Sequence, residues 1–110
     1  MDIEKAIAVL EDNDKAIENS FLYDLHEQCQ FNEQAYWEYY ESLIVLGENK
    51  TQIETIEIIK KIVHTHTYIL SSFIYHFDKK DMYEMKNIPV HYTDYLECLN
   101  TAFEVFFKKE

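Results

Sequence analysis

A long run of apolar side chains at helical spacing, from Thr51 to Phe77, most restricts what this chain can fold into. The spacing of three or four positions holds for about seven turns, roughly 40 Å of α-helix. Thr51 and Glu54 have the spacing of a capping box, which would start the helix. The stripe consists of Ile53, Ile56, Ile59, Val63, His66, Leu70, Phe73 and Phe77. Because so long an apolar face needs cover, the pattern predicts a central helix over about 52–77.

One glycine and one proline in 110 residues leave little material for turns. Helices joined by short polar loops are the simplest arrangement for such a composition. The chain is 47% hydrophobic, enough for a core, and its length fits one domain. We therefore predict an all-α fold: a single domain over residues 1–110, in which four to five helices pack around the long central helix.

Apolar periodicity and capping residues place the remaining helices. Asp2, Asp14 and Asn32 can act as N-caps, and Gly47 can end a helix in the left-handed conformation. Pro89 suits the first turn of the last helix. The predicted helices cover about 2–11, 15–30, 33–46 and 89–107, and a single helical turn covers 82–86.

The helix predicted over 33–46 carries four aromatic residues within five positions. At 100° per residue its side chains divide into a core face, a flank and a face toward water. The core face holds Trp37, Tyr40, Leu43 and Ile44, the flank holds Tyr39, and the water face includes Glu38 and Glu41. Tyr39 is therefore expected beside the exposed acids.

The chain has a net formal charge of −11, and this charge is unevenly spread. Most of it lies in the first half of the chain. Residues 1–48 hold 12 acidic residues and two lysines, whereas residues 49–110 hold nine acidic residues and eight lysines. The chain has no arginine, the residue that pairs best with phosphate and guanine. This pattern predicts no direct nucleic-acid binding, and it favours a basic protein partner.

The motifs of known catalytic and cofactor sites are not found. Gly47 is the only glycine, which excludes a phosphate-binding loop, and no histidine has an acid three positions before it. His26 and Cys29 could ligate one metal from adjacent turns, but a surface histidine beside a reduced thiol is the simpler interpretation. Ser72 and His76 are four apart without an oxyanion loop. We predict no enzyme activity, no catalytic residues, no cofactor and no metal.

Tyrosine is the residue type that suggests binding. Nine tyrosines exceed what a core easily accepts, because each buried hydroxyl needs a partner, and tyrosine is enriched at interface hot spots. Tyr23 and Tyr39 lie beside acidic residues in the acidic half. The predicted partner-binding residues are Tyr23, Glu27, Glu38, Tyr39 and Glu41.

Two segments and the last helix resemble the small all-helical immunity proteins of bacterial polymorphic toxin systems. The segments are Phe31–Glu38 (FNEQAYWE) and Phe73–Asp78 (FIYHFD), and the last helix follows Pro89. The resemblance covers about residues 31–107 and contains no defined site motif, so it assigns no functional residue. It implies a cognate toxin as partner, a cytoplasmic location and no catalysis.

These observations predict an acidic, cytoplasmic binding protein. The first hypothesis is an immunity or antitoxin-type inhibitor that neutralises a basic partner, such as a nuclease-like toxin. The alternative is a helical adaptor or a self-associating protein, a homodimer with an aromatic seam and no inhibitory role. The charged start does not resemble a signal peptide, and no apolar run has the length of a membrane span, so no membrane contact is expected.

Overall fold

A computed structural model describes residues 1–78, 80 and 82–108, which form helices and no β-strand. The all-α prediction is confirmed. The helices are α1 (Ile3–Asp14), α2 (Phe21–Glu27), α3 (Glu33–Glu48), α4 (Lys50–Ile53), α5 (Ile56–Phe77) and α6 (Tyr92–Phe107). The predicted count of four to five is not confirmed, because the segment expected as one long helix contains a separate turn, α4, before α5.

Helix α3, rather than α5, has the most neighbours. It packs between α1 and α6 and also contacts α2 and α4, whereas α5 packs mainly on α1 and α2. Aromatic contacts such as His66 against Phe103 join α5 to α6. The longest helix is thus α5, with 22 residues, but its predicted central position is not confirmed.

The long helix begins later than the sequence pattern suggests. Its N-cap is Thr55, whose hydroxyl accepts a hydrogen bond of 3.1 Å from the Ile58 backbone N–H. Thr51 lies inside α4, and Glu54 ends that helix. The capping box predicted from Thr51 and Glu54 is therefore wrong, because a second threonine four residues later caps the helix.

The buried side of α5 is also rotated from the predicted stripe. Its fully buried apolar residues include Ile62 and Ile69, which are absent from that stripe, whereas Val63 and Leu70 are exposed. Two apolar stripes lie side by side on this helix, and periodicity alone does not tell which one packs inward. The whole buried set of α5 is Ile58, Ile62, Thr65, His66, Ile69, Ser72 and Phe73.

The core face of α3 differs from its prediction by a similar rotation. Tyr36 and Tyr39 are fully buried, and the side chain of Trp37 is 42% exposed. The Tyr36 hydroxyl donates to the Tyr95 backbone carbonyl at 2.6 Å, and the Tyr39 hydroxyl is hydrogen-bonded to the Thr65 hydroxyl. The placement of Tyr39 outside and Trp37 inside is therefore wrong. Both tyrosines can be buried because both hydroxyls have partners.

Asn13 joins the first two helices. It is almost fully buried, its amide donates to the Val9 carbonyl at 2.9 Å, and its oxygen accepts from the Leu22 N–H at 3.1 Å. This bridge lets α1 continue to Asp14 instead of ending near residue 11. Ser20, and not Asp14, caps α2, which is much shorter than the predicted helix over 15–30.

Other local predictions have mixed outcomes. Asp2 and Asn32 cap α1 and α3 as expected, accepting from backbone N–H groups at 2.7 and 3.1 Å. Gly47 lies inside α3 without a positive φ, and Asn49 caps the helix instead. The last helix begins at Tyr92, three residues after Pro89.

The helical turn predicted over 82–86 is wrong. Lys86 forms an isolated parallel bridge with Gln30. Its N–H donates to the Cys29 carbonyl at 2.7 Å, and its carbonyl accepts from the Phe31 N–H at 2.8 Å. These bonds hold the connection between α5 and α6 against the end of α2, so its backbone is used for pairing rather than for a helix.

The rotation of α3 predicts different losses of stability for substitutions at two nearby positions. Tyr39→Ala should lower the free energy of unfolding by about 3–5 kcal/mol, because it empties a fully buried aromatic position. Trp37→Ala should cost under about 2 kcal/mol, since that ring is already partly in water. Denaturant unfolding measures both, and a larger loss for Trp37→Ala would contradict this arrangement.

Candidate functional site

The outward face of α3 and the first turns of α6 form a surface of carboxylates and aromatic rings. Glu33, Trp37 and Glu41 are four residues apart, so their side chains follow one face of α3. All three side chains are exposed. We call this region the acidic aromatic surface, and its members are Glu33, Trp37, Glu38, Tyr40, Glu41 and Tyr95.

Trp37 lies at the centre of these rings. Its ring centroid is 5.6 Å from that of Tyr40, with perpendicular planes, and 5.5 Å from that of Tyr95. A third ring, Tyr36, lies 4.8 Å away beneath it. The indole is therefore held from below and from both sides, whereas part of it stays open to water. A large ring fixed in this way loses little freedom when a partner covers it.

Glu33 fixes two of the rings from the first turn of α3. Its carboxylate accepts a hydrogen bond of 2.5 Å from the Tyr95 hydroxyl and a longer one, 3.5 Å, from the Trp37 indole N–H. The hydrogen bond to Glu33 raises the pKa of Tyr95, because an ionised hydroxyl would lose this bond and face a second negative charge. The tyrosine thus remains a donor at neutral pH.

The other two carboxylates of this surface differ in their contacts. Glu38 has no ion-pair partner among residues 1–78, 80 and 82–108, and Glu41 lies 3.4 Å from the N-terminal ammonium. An open indole face between carboxylates can receive a guanidinium or ammonium group by cation–π and ion-pair contact together. The surface therefore suits basic side chains.

The structure divides the predicted partner-binding residues between different places. Glu38 and Glu41 belong to the acidic aromatic surface, whereas Tyr23 and Glu27 lie on α2, with Tyr23 half-buried and Glu27 exposed. Tyr39 is fully buried and contacts Thr65 instead of solvent, so its predicted exposure is wrong.

Trp37 is the residue that the sequence reasoning missed. Its signal was present: acids stand four positions before and after it, the pattern of an exposed helix face. The 100° helical plot instead groups Trp37 with Tyr40, Leu43 and Ile44 on the predicted core face. Tyr95 gave no local signal, since it approaches α3 from a distant part of the chain.

Apart from this surface, a cleft lies between α2, α5 and the connection to α6. It has a volume of about 400 Å³ and is lined by His26, Tyr68, Ser71, Ser72, Tyr75 and Tyr83. The Tyr68 hydroxyl is hydrogen-bonded to His26 Nδ1, and His26 Nε2 lies 3.6 Å from Glu27. Glu27 therefore lies beside this cleft, where it contacts His26.

The residues that could serve in catalysis or metal binding make hydrogen bonds elsewhere in the fold or lie apart as free thiols. The Ser72 hydroxyl donates to the Tyr68 carbonyl at 3.1 Å, and His76 Nδ1 accepts from the Met85 N–H at 2.9 Å. Cys29 and Cys98 are free thiols, and both are half-buried. Within the part of the chain that the structure describes, no three His, Cys, Asp or Glu residues are grouped as metal ligands.

His66 is the one buried histidine of α5. Its ring stacks on that of Phe103 with 4.1 Å between centroids, and its Nδ1 has no hydrogen-bond partner among the described residues. Burial lowers the pKa of His66 below its ordinary value, and a hydrogen bond with Asn100 opposes part of that shift. The imidazole is therefore neutral at neutral pH.

His66 should make the fold less stable in mild acid. Since its pKa is lower in the folded chain, the unfolded chain takes up the proton first, and stability falls as the pH drops below the ordinary value of 6.5. In His66→Phe, which preserves the stacked ring, the free energy of unfolding should change less between about pH 7.5 and 5.5. Denaturant unfolding across this range provides the comparison, and equal slopes for both proteins would contradict a neutral buried His66.

Comparisons with protein-family models, with curated proteins and with solved structures find no match to this chain. The resemblance to immunity proteins therefore stays a prediction. In the described ranges, none of the helices is both long enough and apolar enough to cross a membrane.

Proposed function

We propose that this chain is an acidic binding protein that neutralises a basic protein partner in the cytoplasm, as an immunity or antitoxin-type inhibitor does. The acidic aromatic surface is the contact. The observation that carries the proposal is the position of Trp37, a fixed and 42% exposed indole between three exposed glutamates. The expected partner is a basic protein such as a nuclease-like toxin, whose substrate site is basic.

Trp37 supports a protein partner rather than a solvated helix face. Tryptophan, tyrosine and arginine dominate interface hot spots, and such anchors are surrounded by contacts that exclude water. Tyr40 and Tyr95 flank the indole and can form that surrounding ring. A helix that merely kept the protein soluble would need carboxylates only.

The charge distribution supports a basic partner. The acidic aromatic surface belongs mainly to residues 1–48, which carry 12 acids against two lysines. A potential of one sign over a surface speeds encounter with a partner of the opposite sign and rejects acidic competitors. Nucleases present basic grooves to nucleic acid, so an acidic inhibitor can occupy the groove that the substrate would enter.

A protection assay in bacteria tests the proposal. The product of the gene beside this one is expressed, alone and together with this chain, and cell survival is counted. We expect the neighbour to be toxic and this chain to restore growth. Trp37→Ala and the double reversal Glu38→Lys with Glu41→Lys should both lose protection, because one removes the anchor and the other reverses the local charge.

A matched control carries the same change of charge elsewhere. Glu54→Lys with Glu57→Lys reverses two exposed acids in the nearly neutral half and should protect as wild type does. For the purified pair, the association rate should fall steeply with added salt, and more weakly after the Glu38 and Glu41 reversal. Full protection by both the Trp37→Ala and the double-reversal proteins would refute the proposed contact.

A further inference from the structure

The cleft between α2, α5 and the connection to α6 takes its shape from one face of α5. Tyr68 and Tyr75 are seven residues apart, so their side chains leave the same face of the helix about two turns apart. Ser71 and Ser72 lie between them on that face, and all four residues line the cleft. Because serine is small, it leaves room between the two larger side chains. The resulting space of about 400 Å³ has the size of a small-molecule site.

Two further rings form the sides of this space. Tyr83, in the connection to α6, donates a hydrogen bond of 2.6 Å to the Leu25 carbonyl at the back of α2. His26 of α2 is hydrogen-bonded to the Tyr68 hydroxyl, with 5.6 Å between the two ring centroids. These bonds hold the rings in place before a ligand binds, which lowers the cost of ordering them on binding. With Tyr75, these rings form what we call the tyrosine cleft.

The charge around the tyrosine cleft favours a cation. Glu27 lies at its edge, with its carboxylate 3.6 Å from His26 Nε2. The pKa of the Tyr68 hydroxyl is raised by burial and then by the negative charge of Glu27, so that charge acts on the side chains of the cleft. The described residues that line the cleft include neither lysine nor arginine. An anionic ligand would therefore meet the field of a carboxylate without the cation that usually binds it.

The aromatic lining favours a methylated ammonium group over a primary one. A primary ammonium is strongly hydrated and carries three N–H donors, so it needs acceptors at close range. The Glu27 carboxylate lies beside His26 at the edge and is not among the lining residues. A quaternary ammonium has no N–H donor to satisfy. Its methyl groups pack on aromatic rings, whose faces attract its charge, and a nearby carboxylate adds to that attraction.

We propose that the tyrosine cleft binds a quaternary ammonium group, borne either by a small molecule such as choline or by a trimethylated lysine side chain. Tyr68, Tyr75 and Tyr83 supply the aromatic rings, and Glu27 supplies the negative charge. The serines of α5 leave the space that the methyl groups occupy. The proposal is independent of the proposed inhibitory function, because it uses no member of the acidic aromatic surface.

An NMR titration of the full chain with choline, followed by the backbone N–H resonances, tests this site. Choline should shift resonances of residues 68–75 and of His26 in a saturable way, with a Kd of about 1 mM. The uncharged analogue, in which carbon replaces the choline nitrogen, has the same shape and should bind at least about tenfold more weakly. Both arms of a second comparison support the site and distinguish its source. Tighter binding of a peptide with trimethyllysine indicates a modified protein, and tighter binding of choline indicates a small molecule.

Substitutions at Tyr75 test the aromatic contact. This side chain is 50% exposed, so Tyr75→Leu should leave the circular dichroism unchanged and weaken choline binding about tenfold. Tyr75→Phe keeps the ring and should bind choline as wild type does. Glu27→Gln should weaken the binding of choline and not that of the uncharged analogue, because only the charge is lost.

Trp37→Ala is the matched control, because it removes an exposed ring beside carboxylates on a different face of the protein. It should not change the affinity of the tyrosine cleft for choline. Any of three results would overturn the proposal: no saturable shift up to about 50 mM choline, equal affinity for the uncharged analogue, or wild-type binding by Tyr75→Leu.

Discussion

The burial of Tyr36 and Tyr39 sets the arrangement on which the other features depend. Each ring is fully enclosed, and each hydroxyl has a partner, the Tyr95 carbonyl and the Thr65 hydroxyl. Burial raises the pKa of both hydroxyls well above the ordinary value, so both remain protonated donors. Because these two rings fix the rotation of α3 about its axis, Trp37 points outward between the glutamates.

The sequence predicted the class of the fold more accurately than the rotation of its helices. The scarcity of glycine and proline was sufficient for an all-α fold, and Asp2 and Asn32 marked two helix starts through local hydrogen bonds. Local patterns did not reveal partners distant in sequence: Thr65 for Tyr39, or Leu22 for Asn13. Those contacts decided which tyrosine is inside and where α1 ends.

Sequence patterns are limited in the same way for side chains at the surface. Glu38 and Glu41 were expected to be exposed and are, because carboxylates rarely lose water without a partner. In a sequence, Trp37 and the exposed stripe of α5, which includes Val63 and Leu70, look like core, since apolar side chains are usually buried. An exposed apolar group becomes visible only when the packing is known, as Trp37 on α3 and Leu70 on α5 show.

Trp37 is the single tryptophan of the chain, so its fluorescence reports directly on the central claim. Quenching is measured with caesium and with iodide at matched ionic strength. If the indole is exposed among carboxylates, caesium should gain in quenching relative to iodide, because the local negative potential concentrates cations. The double reversal of Glu38 and Glu41 to lysine should shift the ratio toward iodide. An indole shielded from both ions, or a ratio unaffected by the reversal, would contradict the account.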